Sequence, residues 1–172
     1  MMKTVKSKNN YSSGVTMVEL LIYIGLLTLF LTVLTTLFVS IFKLQLTTQS
    51  TSSLTQDTRF IIARMGYDIE NAKSISTTYS LGQTTNSLTF KDTNDNSFTY
   101  TLDGSNNLTL NGTRINGLDT TISAISPSTT LFQIIGTDIT KPTIQVKFTI
   151  NSNVIEESGP RSQIIQTTYG LR

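Results

Sequence analysis

The chain has 172 residues, a formal net charge of +2, and neither cysteine nor histidine. This length allows about one ordinary domain with additional segments, and the missing residues exclude disulfide frameworks, thiol nucleophiles, imidazole bases and nearly all zinc or haem sites. Three of the thirteen basic residues precede Gly14. The chain from Val15 onward therefore has ten basic and eleven acidic residues, a net charge of −1, and no basic field for binding nucleic acid.

A long apolar segment follows the short polar leader. From Leu20 to Phe42 the chain has no charged residue and no proline, and these 23 residues exceed the roughly 20 that a helix needs to cross a bilayer. Three lysines and no acidic residue stand in the leader, which by the positive-inside bias predicts a cytoplasmic N-terminus. We therefore expect a single-pass protein of the cytoplasmic (inner) membrane, with residues 15–43 as the transmembrane helix and the C-terminal part periplasmic or extracellular.

Glu19 lies directly before the uncharged run, in the stretch SSGVTMVELLIYIG. An ionised carboxylate within hydrocarbon costs from about 2.5 to more than 10 kcal/mol, so such a charge marks a function and implies a partner. The surrounding pattern has Gly14, an apolar residue, Thr16, two more apolar residues and then Glu19 followed by two leucines. This pattern resembles the cleavage motif of the type IV prepilins.

The resemblance implies a processing site and an assembly role. A prepilin peptidase would cut between Gly14 and Val15, remove the leader of residues 1–14 and leave Val15 as a methylated N-terminus. The amine of Val15 would then meet the Glu19 carboxylate of a neighbouring subunit, so that each charge is neutralised only when the helices are in register. Glu19 and Val15 are thus the expected assembly residues.

The same resemblance implies the function and the partners. The chain would be a structural subunit, a minor pilin or pseudopilin, of a type IV pilus or a type II secretion-like filament. Its expected partners are other pilin or pseudopilin subunits, the prepilin peptidase, membrane lipid and an inner-membrane assembly platform, with no direct contact to nucleic acid. The alternative is a membrane-anchored binding or adhesion domain that does not polymerise and keeps its leader as an uncleaved signal anchor.

The helical pattern continues beyond the apolar run. Apolar residues recur at spacings of seven, four, four and three on one helix face, at Leu54, Ile61, Met65, Ile69 and Ala72. They predict one helix from about Thr16 to about Ala72, whose second half, residues 44–73, is an amphipathic stalk. Poor helix formers cluster at residues 47–53, so a separate short helix after a loop is the alternative.

The end of this helix carries charges among its apolar positions. Arg64 and Asp68 are four residues apart and can pair on the helix surface. Residues 59–75 and the final segment, residues 162–172, are similar to the corresponding parts of J-type minor pseudopilins. For each of these charges taken singly, we instead expect an ordinary solvated helix face beside a buried stripe.

From Ser74 onward, short alternating segments predict strands. The six segments are SLTFKD, SFTYTLD, NLTLNG, LFQIIG, TIQVKFTI and SQIIQTTYGLR. Turn residues at 92–97, 103–107 and 111–112 predict hairpins, the last two of Asp-Gly and Asn-Gly type. The predicted fold class is α+β, in which a mostly antiparallel sheet in residues 74–172 forms a globular head packed on the stalk, the lollipop that the pilin resemblance implies.

Two kinds of site are rejected. A calcium-loop pattern places oxygen ligands at Asp92, Asn94, Asn96 and Asp103, but Ser97 occupies the position that needs glycine, so a polar hairpin turn is favoured. Without histidine, and with no lysine in a recognisable pairing, no nucleophile has an activating base. We therefore predict no enzymatic activity, no metal and no cofactor.

Overall fold

The computed structural model describes residues 14–76, 78–138 and 141–171, and the predicted leader therefore lies outside the described residues except for Gly14. One long helix, α1 (Met17–Glu70), precedes a region of antiparallel strands, which confirms the predicted α+β class. The chain divides into two compact units, one ending at Phe42 and one beginning at Lys43. Each unit is described separately below.

The first unit is the apolar part of α1. The helix is long and apolar enough to cross a membrane. The hydroxyls of its threonines and of its one serine are bonded within the helix, each donating to the carbonyl four residues earlier at 2.8–2.9 Å, at Thr28, Thr32, Thr35, Thr36 and Ser40. These bonds allow hydroxyl side chains to lie in an apolar segment without unpaired donors.

The second unit contains the amphipathic part of α1. All five residues of the predicted apolar stripe are at most 5% exposed. The buried face also includes Thr58, and it extends towards the N-terminus as far as Ser50. The polar segment 47–53 remains helical, and the hydroxyls of Thr48 and Thr51 donate to the carbonyls four residues before them. The helix is therefore continuous, as predicted, and it ends at Glu70 rather than at Ala72.

The strands form two antiparallel sheets, whereas the sequence predicted a single one. The first sheet has the order β1-β3-β4-β5-β6, with strands β1 (Ser74–Ile75), β3 (Ser87–Lys91), β4 (Ser97–Leu102), β5 (Leu108–Leu110) and β6 (Thr113–Arg114). The second has the order β10-β9-β8-β2 with β7 also paired to β9, and its strands are β2 (Thr84–Thr85), β7 (Thr120–Ser123), β8 (Phe132–Ile135), β9 (Thr143–Ser152) and β10 (Ser162–Gly170). All six predicted strands are present. Four additional strands are present as well. β1, β2 and β6 have only two residues, too few for an alternating pattern to be recognised, and the four-residue β7 was also not predicted.

The two loops that flank β4 have the same construction. In each, the carboxylate of an aspartate, Asp92 or Asp103, accepts hydrogen bonds from the backbone amides two and four residues later and from the side-chain amide four residues later. The fourth residue of each loop, Asp95 or Asn106, has a positive φ of 64° or 62°. Both predicted hairpins are confirmed, but the left-handed residue of the second is Asn106 and not Gly104, so it is not an Asp-Gly turn of the two-residue type.

The third hairpin joins β5 to β6 through Asn111 and Gly112. Their φ values are 51° and 81°, and two successive positive values are those of the type I′ turn that Asn-Gly favours. This prediction is confirmed. The Asn111 side chain also accepts a hydrogen bond from the Thr99 amide at 2.7 Å, which ties the turn to β4.

The hydrophobic core lies between the helix stripe and the inward faces of both sheets. The register of the β9–β10 hairpin runs from Ser162 opposite Asn151 to Gly170 opposite Thr143. On β9 every second residue from Ile144 to Ile150 is fully buried. This alternation is the period of two that places successive side chains on opposite faces of a strand.

Candidate functional site

The predicted processing junction lies at the N-terminus of α1. Gly14, Val15 and Thr16 precede the helix and are exposed, with Val15 at 64% of its full accessibility. The Thr16 Oγ1 accepts a hydrogen bond from the Glu19 amide at 3.2 Å, so Thr16 is the N-cap of α1 and satisfies one of its unpaired amides. The junction is thus a short non-helical segment that ends at a defined helix start.

Glu19 has a partner that the sequence reasoning did not identify. The Tyr23 hydroxyl donates a hydrogen bond of 3.0 Å to the Glu19 Oε1, one helical turn further along α1. Glu19 also lies in the first turn, where a negative charge interacts favourably with the helix dipole. Both features could have been found in the sequence, as the capping pattern Thr16-x-x-Glu19 and as an aromatic hydroxyl four residues after the carboxylate.

The surface that follows Glu19 is apolar on all sides. Every large hydrophobic side chain from Leu20 to Phe42 is at least 46% exposed in the single chain. Soluble monomers rarely expose a continuous apolar surface larger than a few hundred Å², so this segment requires lipid or other protein around it. The predicted site residues Gly14, Val15 and Glu19 therefore stand together at the start of one exposed apolar helix.

In the second unit, α1 holds the loop between β6 and β7 through a carboxylate. The Asp57 Oδ2 accepts hydrogen bonds from the Gly117 amide at 2.7 Å and from the Thr120 hydroxyl at 2.5 Å. The Arg114 guanidinium donates to the carbonyls of Gly117 and Thr120, so the same loop is held from its other side. Sequence reasoning missed this arrangement, because the partners are about sixty residues apart and no local pattern joins them.

A second carboxylate anchors the loop between β9 and β10. The Glu156 side chain is 5% exposed, lies 3.1 Å from the Arg161 Nε and accepts a hydrogen bond of 3.1 Å from the Thr47 hydroxyl. Burial raises the pKa of Glu156, but contacts with Ser50, Arg161 and Thr47 lower it by more, so its pKa lies below the ordinary glutamate value. These contacts fall on the polar segment 47–53 and stabilise the part of the helix that its sequence favours least.

The predicted pair of Arg64 and Asp68 is confirmed, with 2.8 Å between Nε and Oδ2. Asp68 is not on an ordinary solvated face, because its side chain is only 10% exposed and it also accepts a 2.6 Å hydrogen bond from the Tyr100 hydroxyl. Burial raises the pKa of Tyr100, and the bond to Asp68 acts in the same direction. This group joins α1 to the first sheet.

The described residues contain no group of three or more aspartate, glutamate, histidine or cysteine side chains placed to hold a metal ion. The Asp92 and Asp103 carboxylates each bond within their own loop, which confirms the polar hairpin reading of these positions. Their amide hydrogen bonds lower the pKa of both groups.

No protein-family model matches the chain, and no curated protein or solved structure is significantly similar to it.

Proposed function

We propose that the chain is a structural subunit, a minor pilin or pseudopilin, of a type IV pilus or type II secretion-like filament. It is inserted in the cytoplasmic membrane through the first part of α1 and processed between Gly14 and Val15. A prepilin peptidase removes the leader, and an assembly platform then transfers the subunit into a filament of related helices. The subunit has no catalytic role.

The observation that carries this proposal is the junction itself. Gly14 and Val15 form an exposed, non-helical segment, and the apolar helix that begins two residues later is exposed on all sides. A peptidase needs extended, accessible backbone at the bond it cuts, and a filament subunit needs an apolar helix that is free to exchange lipid for other helices. Both requirements are satisfied within one short stretch of chain.

The role of Glu19 follows from the same chemistry. Cleavage turns the Val15 nitrogen into a cation four residues before the carboxylate. In a bundle of such helices the amine of one subunit can pair with the carboxylate of its neighbour. Loss of one member would leave the other charge buried and unpaired, typically at a cost of about 3–5 kcal/mol, so the pair would select the correct axial position of a helix.

A second candidate is a membrane-anchored binding domain that is never processed. It is favoured by one observation, which is that Glu19 already has structural partners in its own helix, the Thr16 cap and the Tyr23 hydroxyl. In this case the carboxylate would lie at the headgroup level and serve only the helix start. The head would act as a monomer on its anchor.

The mature N-terminus distinguishes the two candidates. The protein is expressed in a host together with a prepilin peptidase, and membrane fractions are analysed by mass spectrometry. The pilin proposal expects a methylated Val15 N-terminus. It also expects that Gly14→Val blocks cleavage and leaves membrane insertion unchanged, whereas Gly25→Val, in the same helix, does not affect cleavage. A wild-type chain that keeps residues 1–14 in the presence of active peptidase would support the anchored domain instead.

A further inference from the structure

The second sheet ends in a long strand with an open edge. β10 has nine residues and pairs on one side only, with β9, whereas β1, β6 and β2, the other terminal strands in the two sheet orders, have two residues each. Proteins commonly keep edge strands short, because an unpaired row of backbone N–H and C=O groups is a template for another strand. β10 is therefore the exception among the terminal strands that the structure describes.

The free edge of β10 consists of the backbone groups at its even-numbered positions. The Ser152 amide donates to the Arg161 carbonyl at 2.8 Å. At the other end of the strand, the Leu171 amide donates to the Pro142 carbonyl at 3.2 Å. Because the register is constant along β10, its odd-numbered residues bond to β9, and its even-numbered residues point their N–H and C=O groups away from β9. The outward residues are Ser162, Ile164, Gln166, Thr168 and Gly170.

Nothing in the described part of the chain covers this edge. All of the outward residues are exposed, Ile164 at 67%, and a Cβ atom built on Gly170 would meet open space. Within the described residues, no hydrogen bond between backbone groups links them to another element. The inward side chains of Ile165 and Tyr169 are buried, so the strand is held in place while its edge stays free.

The sequence of β10 does not protect the edge either. The segment SQIIQTTYG has no charged residue and no proline, and its constant register leaves no bulge. Lysine, proline and bulges are common means by which a long edge strand is kept from pairing. β10 is thus preformed to accept one further extended strand, which would bind mainly through its main chain.

β10 is complementary to itself in the antiparallel direction. A two-fold axis at Gln166 lets every outward residue pair. The opposed residues are then Gln166 with Gln166, Ile164 with Thr168, and Ser162 with Gly170 of the second copy. This register forms about ten main-chain hydrogen bonds, and a shift in either direction forms fewer.

The side chains and charges also suit a second copy. A glutamine amide is both donor and acceptor, so Gln166 can bond to its own copy, whereas a charged side chain at the axis would meet its like. Arg161 is the charged residue directly before β10. In the antiparallel arrangement it lies about 34 Å from its copy along the strands, but parallel pairing would place the two guanidinium groups side by side. The strand ends therefore favour antiparallel pairing.

We propose that the β10 edge is an interaction surface for a second copy of this chain, joined antiparallel so that the second sheets of two heads form one continuous sheet. Arg161 contacts the Thr51 hydroxyl at 3.4 Å. The Tyr169 hydroxyl bonds to the Ile62 carbonyl, so β10 runs in the same direction as the helix beside it. The helices beside two paired strands would therefore run in opposite directions. Subunits drawn from one membrane into one filament share a direction, so this contact goes beyond filament assembly.

Disulfide cross-linking tests the pairing, because the chain has no cysteine of its own. Single-cysteine variants of the full-length chain are oxidised mildly in excess detergent, with one chain per micelle. Gln166→Cys should form a disulfide with its own copy, since the Cα atoms of such an opposed pair lie about 5.5 Å apart, within disulfide range. Ile164→Cys and Thr168→Cys should not dimerise alone, because each lies about 14 Å along the strands from its own copy. The two variants should cross-link to each other when they are mixed.

Thr93→Cys is the matched control for random collisions, because it is exposed and lies outside the second sheet, in the loop between β3 and β4. We expect about tenfold more dimer for Gln166→Cys, and for the mixture, than for Thr93→Cys. A mixture that cross-links no better than its separate components would overturn the proposal. Cross-linking of positions 164, 166 and 168 each with its own copy would indicate parallel pairing and would contradict it as well.

Charge substitutions at the axis test the register independently. In the mixture of Ile164→Cys and Thr168→Cys chains, adding Gln166→Lys to both places two cations opposite each other and should lower cross-linking severalfold. Lysine in one chain and Gln166→Glu in the other should restore it, which would show that neither substitution damages the fold. Full cross-linking with lysine in both chains would rule out an axis at Gln166. The measurement does not depend on cleavage after Gly14, so its failure would leave the pilin proposal in place.

Discussion

The ring of Tyr169 lies directly against Gly66 of α1. A Cβ atom built on Gly66 would stand 2.9 Å from the Tyr169 Cε1, closer than real side chains approach each other. The Tyr169 hydroxyl donates a hydrogen bond of 2.9 Å to the Ile62 carbonyl, which fixes the ring in this position. Strand β10 is thereby attached to the C-terminal part of α1.

This contact predicts that Gly66→Ala destabilises the head. Replacing a helical glycine with alanine normally stabilises a helix by up to about 1 kcal/mol, but overpacking a tight contact costs about 1–3 kcal/mol. We expect a lower melting temperature for the variant by circular dichroism. Gly104→Ala is the control, because its Cβ would meet open space, and it should be close to neutral. A higher melting temperature for Gly66→Ala would show that the tyrosine ring moves freely.

The buried stripe predicts that residues 43–172 fold by themselves, without metal, and that Ile61→Asp abolishes this folding. Ile61 is fully buried, and an unpaired charge at this position costs several kcal/mol, enough to exceed the stability of a small domain. Phe60→Asp, at the adjacent position that is 52% exposed, should fold normally. Circular dichroism and gel filtration of the three proteins measure this difference.

The same fragment tests the rejected calcium site. Because the Asp92 and Asp103 carboxylates bond within their own loops, calcium should leave its melting temperature unchanged. A rise of several degrees in millimolar calcium would mean that the two loops do bind the ion.

The Glu156 contacts predict acid sensitivity. Its pKa is lower in the folded chain than in the unfolded one, so its stabilisation is fully present above the unfolded value of about 4.3 and is lost as the pH falls through the folded value. Chemical unfolding between pH 7 and pH 2.5 should show this loss, and Glu156→Gln should reduce it.

Glu157→Gln is the matched control for this measurement. Its pair with Lys43 is largely exposed, with 76% of the glutamate side chain accessible, and such pairs contribute little to stability. It should retain nearly the full pH dependence of the wild-type chain. Equal effects of the two substitutions on the pH dependence of unfolding would mean that the burial of Glu156 adds nothing to its stabilisation of the fold.

The proposed assembly role predicts opposite results for Glu19 and its helix partner Tyr23. Glu19→Ala should remain inserted and processed, since removing a charge makes the helix more apolar, but cross-linking to other pilin subunits and filament output should fall sharply. Glu19→Gln should restore these only weakly, because an amide offers a hydrogen bond without charge. Tyr23→Phe removes the Tyr23–Glu19 hydrogen bond but keeps the carboxylate, and it should assemble as the wild type does. If Tyr23→Phe fails and Glu19→Gln succeeds, the carboxylate serves the helix start alone.

The sequence by itself determined the features that have a short repeat. The absence of charge from Leu20 to Phe42 predicted an apolar helix, and the spacing of Leu54, Ile61 and the residues after them predicted which face is buried. Strands of four or more residues alternate visibly, with the exception of β7, which was not predicted. The pair Asn111-Gly112 marks its turn because it favours one backbone conformation. Each of these signals depends on a side chain and its neighbours within a few positions, so no knowledge of the fold is needed to see it.

Only the tertiary structure decided the contacts between distant parts of the chain. Nothing in the local sequence links Asp57 to the Thr120 loop, Glu156 to Thr47 or Gly66 to Tyr169, because their partners are sixty to more than a hundred residues away. The division into two sheets has the same origin, since strand pairing depends on which edges meet after collapse and not on the pattern within a strand. The polar segment 47–53 shows the effect of such distant contacts. Its low helix propensity is overcome by hydrogen bonds to the ion-paired Glu156 and Arg161, which form only when the head is folded against the helix.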